Sequence, residues 1–118
     1  MNIYDHIHAL ANALKNSDEL KGFKEAKEKL EADKEAKEMF LDFRKYQFEL
    51  QKDQLEGKQI EKERGERLRA MYEAVSLNNT VREYLIAETR IGKIMSDVSK
   101  ILGEAVGLDE LEEMNGSS

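Results

Sequence analysis

Apolar residues recur at intervals of three and four along most of the chain, which predicts a protein built from helices. Ile3, Ile7, Leu10 and Leu14 share one face of a first helix running from about Asn2 to Asn16, with Asn2 as its N-cap. Asn16-Ser17-Asp18 interrupts this pattern, and Ser17 can cap a second, highly charged helix with a narrow stripe of Leu20, Phe23, Ala26 or Lys27, and Leu30. Asp33 is the next cap, placed to accept hydrogen bonds from the free N–H groups of Glu35 and Ala36.

A long third helix follows, to about Leu55. Its main stripe is Ala36, Met39, Phe40, Phe43, Tyr46 and Leu50, while Leu41, Phe48 and Leu55 fall on a second face, roughly 160° away from Met39 and Tyr46 at about 3.6 residues per turn. A helix that is apolar on two faces needs two partners. Three covers are open for the second face: a second copy of the chain, the first or fourth helix of the same chain, or another protein.

Glu56-Gly57-Lys58 is the turn signal in the middle of the sequence. Ile60, Leu68, Met71 or Tyr72, and Val75 mark a fourth helix returning from it, so the third and fourth helices form an antiparallel hairpin. Gly65 lies inside this pattern and costs about 1 kcal/mol relative to Ala if helical, which predicts early turns that fray or start late. Asn78-Asn79-Thr80 separates the fourth and fifth helices, with Thr80 and Glu83 at the spacing of a capping box. The fifth helix carries the widest stripe, Val81, Tyr84, Leu85, Ile91, Ile94, Met95, Val98, Ile101, Leu102 and Ala105, and ends near Gly107. The expected organisation is all-α: one multihelical bundle of about five helices over residues 1–108, then an acidic tail, 109–118, expected to be mobile.

Composition narrows the chemistry. With 118 residues, 40% of them apolar, the chain can build one modest core. The absence of cysteine removes disulfides, thiolate metal sites and cysteine nucleophiles. No signal peptide and no apolar run approaching the roughly 20 residues of a membrane span is present, so a cytoplasmic protein with no membrane association is expected. A net charge of −6 argues against direct binding of nucleic acid. Lys62, Arg64, Arg67 and Arg69 are interleaved with Glu61, Glu63 and Glu66, the pattern of a solvated helix face.

Catalytic and metal-binding signatures do not emerge. His6 and His8, the two histidines, point about 200° apart on a helix and cannot share a metal from one face. Ser17 and Thr80 are explained as caps, and Ser76, Ser96 and Ser99 have no evident base. Catalytic residues, metals and cofactors are therefore expected to be none. Glu88 departs from the ordinary carboxylate pattern because it lies within the apolar stripe of the fifth helix. Two readings stay open: a buried polar element serving specificity or ligand contact, or a carboxylate at the stripe's margin that reaches solvent or a neighbouring Arg or Lys.

Several blocks resemble the YlbF/YmcA family of small bacterial helical proteins, and within it the YheA-like branch. They are the Asp33-Lys34-Glu35-Ala36 helix start, Phe40-x-x-Phe43, Leu55-Glu56-Gly57-Lys58, and the run from Leu77 through Asn78-Asn79-Thr80-Val81-Arg82-Glu83-Tyr84 to Glu88. The resemblance implies a dimeric multihelical fold with a long helical hairpin and no known catalytic activity. Better-known relatives are accessory proteins of a complex that modulates an endoribonuclease and developmental programmes, some of them using cysteines for iron–sulfur clusters. Having no cysteine, this chain does not inherit the cluster.

The expected function is a non-enzymatic protein–protein interaction module, a homo-oligomeric adaptor or regulator with itself and an unidentified protein as partners. Its expected homodimer interface includes Leu41, Phe48 and Leu55, because leaving these in water forgoes roughly 1.5 to 3 kcal/mol per side chain. The alternatives are an accessory subunit of an RNA-processing complex and a small ligand carrier or enzyme on a helical bundle.

Overall fold

The computed structural model describes residues 2–107, and the expected acidic tail lies outside the described residues. The elements are α1 (Ile3–Lys15), α2 (Asp18–Ala32), α3 (Lys34–Leu55), α4 (Lys62–Leu77) and α5 (Asn79–Val106), with no strand among the described residues. Three boundaries follow the cap chemistry of the sequence. The side chains of Asn2, Ser17 and Asp33 accept hydrogen bonds from the backbone N–H groups of Tyr4, Leu20 and Ala36 at 2.9, 3.2 and 3.0 Å.

The fourth boundary differs from the expected capping box. Asn78 caps α5, its Oδ1 accepting from the Val81 N–H at 3.1 Å, while Thr80 already lies inside the helix. The corner is tight because Val75 before it and Val81 after it are both fully buried. One residue therefore closes α4 and opens α5. Gly65 proves to be helical, and the neighbouring Arg64 is tied to α3, with its carbonyl accepting from the Tyr46 hydroxyl at 3.3 Å and its guanidinium 2.9 Å from Asp53. Ile60, by contrast, precedes the helix. In the turn, Gly57 adopts a φ of 81°, a left-handed conformation that residues with a Cβ rarely take.

The core sits where α2, α3, α4 and α5 converge. Leu30, Ala36, Phe40, Phe43, Val75 and Val81 form its buried cluster, with Met39, Leu68, Met71, Tyr84 and Leu85 packed around them. Ala26 rather than Lys27 completes the stripe of α2. The Tyr84 ring meets Phe40 edge-on at 5.0 Å and Phe23 at 5.6 Å, which joins α2, α3 and α5 through aromatic contacts.

The molecule is thin and spread out. Its extents are 52 × 42 × 16 Å and its radius of gyration is 18.6 Å, whereas a compact domain of this length has about 13 Å. Two causes are visible. Helix α1 packs on α2 and on no other helix, leaving Ile3, Ile7 and Leu10 exposed. Helix α5, at 28 residues, outruns the 15-residue α2 laid along it, so that of its wide apolar stripe only Val81 is buried and Ile101, Leu102 and Val106 face outward.

Candidate interaction surface on the third helix

Asp33 fixes where α3 begins, its side chain accepting from the Ala36 N–H at 3.0 Å. Phe40, Phe43 and Leu50 point into the core, and the opposite side is left open. Leu41, Phe48 and Leu55 are 51%, 61% and 90% exposed. Neither α1 nor α4 covers them, which removes the intramolecular cover from the three that the sequence left open. These apolar residues are accompanied by Lys34, Lys37, Lys45 and Lys52, which extend the same ladder at spacings of three and four. All four lysines are exposed, and none forms an ion pair with a described residue. The sequence reading missed this basic character. The helical periodicity that groups the three apolar residues also groups the lysines.

Glu88 lies at the edge of this region. It is half-buried, and its Oε1 accepts a hydrogen bond from the Arg44 guanidinium at 2.6 Å, so it takes the marginal position with a neighbouring arginine rather than a closed pocket. No polar or charged side chain is fully buried among the described residues. The Arg44 guanidinium also stacks over Phe40 at 4.9 Å, and its Nε is buried without an acceptor. Burial first, then the Glu88 carboxylate, raises the Tyr84 pKa above its ordinary value.

The pair therefore clasps α3 to α5. Replacing Glu88 with leucine is expected to cost about 1 to 2 kcal/mol, between the values for exposed and buried pairs, since it strands a half-buried guanidinium. Glu88→Gln, which can still accept a hydrogen bond, should lose less. Urea unfolding of both variants measures the difference, and equal stability of wild type and Glu88→Leu would dismiss the clasp.

Elsewhere the charges read as solvated faces. Lys62 pairs with Glu66 and Arg69 with Glu73 on α4, while Arg67 lies over the Tyr46 ring at 5.0 Å. Asp53, at the end of α3, has its pKa lowered chiefly by its hydrogen bond with Arg64. His6 and His8 are exposed on α1. Among the described residues no group of three or more His, Asp or Glu is placed to hold a metal ion, and no helix is long and apolar enough to cross a membrane. One surface groove of about 350 Å³ runs between α2 and α5, floored by Gly22, Ala26 and Ala87 and rimmed by Asp18, Glu19, Glu25, Glu83 and Arg90. Lys29 and Glu83 approach each other at 4.0 Å in this groove.

The described residues thus define an all-α multihelical protein. Residues 3–107 match the family described as "Control of competence regulator ComK, YlbF/YmcA", and the chain belongs to that family. It is similar to UPF0342 proteins of several bacteria. That of Caldicellulosiruptor saccharolyticus is 45% identical over 92% of this chain and 91% of its own length. That of Symbiobacterium thermophilum is 46% identical over 91% of this chain and 96% of its own. A more distant relative from Alkalihalophilus pseudofirmus is 35% identical, covering 98% of this chain and 94% of its own.

Proposed function

We propose that this chain is a non-enzymatic interaction module that pairs with a second copy of itself and acts as an adaptor or regulator for another protein. The observation that carries this reading is the exposure of Leu41, Phe48 and Leu55 on a helix whose other face supplies the core. Covering the exposed parts of the three side chains returns about 3 to 5 kcal/mol, which a monomer of this shape forgoes. The family's description as a control of a competence regulator supports a regulatory role.

Light scattering of the full chain across a dilution series tests the assembly. A dimer is expected at roughly 100 μM, well above the micromolar range of modest complexes. A monomer at that concentration would overturn the proposal.

A further inference from the structure

A second cleft, between α4 and α5, differs in chemistry from the acidic groove beside α2. It encloses about 350 Å³. Tyr72 and Ser76 of α4 form one wall, with the Tyr72 ring set against Phe43 at 5.9 Å. Arg82, Leu85, Ile86, Thr89 and Arg90 of α5 form the other, and no carboxylate lines the cleft. The Ser76 and Thr89 hydroxyls donate to the carbonyls of Tyr72 and Leu85 on their own helices, at 2.7 and 2.9 Å. The charged donors of the cleft are therefore its two arginines.

These arginines have no acidic neighbour on their own helix face. A charged side chain on a helix meets the positions three and four away, which are Asn78, Asn79, Leu85 and Ile86 for Arg82, and Ile86, Ala87, Lys93 and Ile94 for Arg90. Arg82 donates to the Asn79 side chain at 2.7 Å, and neither arginine forms an ion pair with a described residue. The carboxylates close by in sequence are engaged elsewhere: Glu83 with Lys29, Glu88 with Arg44 and, on α4, Glu73 with Arg69. Arg90 also borders the groove of Asp18 and Glu19 and pairs with neither.

We propose that this cleft is the docking site for an acidic amphipathic helix of a partner protein, which sets two carboxylates on Arg82 and Arg90 and an apolar side chain on Ile86 between them. The inference rests on the reading of the chain as a module for another protein and is independent of the homodimer. Arg82 and Arg90 are eight residues apart, about 12 Å along α5 and within about 80° of one another around it, with Ile86 midway. Carboxylates seven or eight residues apart on a partner helix have the same span and leave an apolar position between them. Ile86 and Tyr72 are 47% and 54% exposed, and a free inorganic anion would leave that apolar surface in water. An extended segment would bring backbone groups that two helical walls cannot hydrogen-bond, whereas a helix satisfies its own. A nucleic acid would carry its phosphates toward a chain of net charge −6.

The probe is a fluorescently labelled helical peptide of about 18 residues, with two glutamates seven positions apart and a leucine between them, titrated with the full-length protein. A Kd of roughly 100 μM is expected at low salt. Arg82→Glu with Arg90→Glu should weaken binding about tenfold, while Arg82→Lys with Arg90→Lys, which keeps the charge, should weaken it by no more than about threefold. The same peptide with lysines in place of its glutamates should bind the reversed variant and not the wild type.

No binding by about 1 mM, or equal affinity of the glutamate and lysine peptides for the wild type, would overturn the inference. So would a mixed-sequence RNA that loses its binding on the reversal while the peptide does not. Light scattering separates this inference from the homodimer. The reversed variant should dimerise as the wild type does, and loss of its dimer would assign the cleft to self-association instead. A wild-type dimer that ignores the peptide removes this inference alone, whereas a monomeric wild type that binds the peptide removes the homodimer alone.

Discussion

Phe48→Glu is expected to lower dimer affinity about a hundredfold while leaving the fold of each chain intact. The side chain is 61% exposed in the single chain, so the substitution removes little internal packing, and surface changes of this kind usually shift stability by no more than about 0.5 kcal/mol. Its helical surroundings even favour the new carboxylate, since Lys52 lies four residues ahead and Lys45 three behind. In the proposed homodimer the same change would remove an aromatic ring worth about 1.5 to 3 kcal/mol of burial and place a charge in the seam. Light scattering should report dissociation, and circular dichroism unchanged helicity. Loss of helicity in step with dissociation would place Phe48 in the fold of the chain instead.

Phe43→Ala, five positions earlier on the same helix, should do the opposite. Phe43 is 4% exposed and belongs to the cluster with Phe40, Val75 and Val81, its ring 5.9 Å from that of Tyr72. Truncating a buried aromatic removes its transfer free energy and leaves a cavity, about 3 to 5 kcal/mol together. Small domains hold about 5 to 15 kcal/mol in all, and the described residues of this chain include only eight that are buried apolar ones. Urea unfolding should show most of the stability gone. A loss below about 1 kcal/mol would mean that the core is looser than its geometry shows.

These two phenylalanines also show what the sequence could convey. Helical periodicity separates Phe43 from Phe48 without any tertiary information, because both faces follow from the rotation per residue alone. Caps at Asn2, Ser17 and Asp33 were equally legible, since each is a contest settled within a few residues. The cap of α5 was not. Asn78 and Thr80 are both eligible, and burial of Val75 and Val81 on either side of the corner decided between them.

Periodicity likewise shows which side of α5 is apolar but not how much of it a neighbour will cover. The helix outruns α2, and that depends on how the helices cross. Glu88 was noticed from its place in a stripe, but its partner Arg44 lies 44 positions away and only folding brings the two together. The lysines of the ladder were legible and were passed over, because charged helix positions count as solvated by default.

The attachment of α1 has a consequence for how the chain opens. This helix is joined to the rest through the Asn16–Ser17 corner and its packing on α2, and its own apolar stripe meets nothing else. Detaching it disturbs none of the Leu30, Phe40, Phe43, Val75 and Val81 cluster. Such a segment opens with a free energy far below that of global unfolding, as a cooperative unit of its own. Loss of the first helix is thus expected to leave the four-helix core standing.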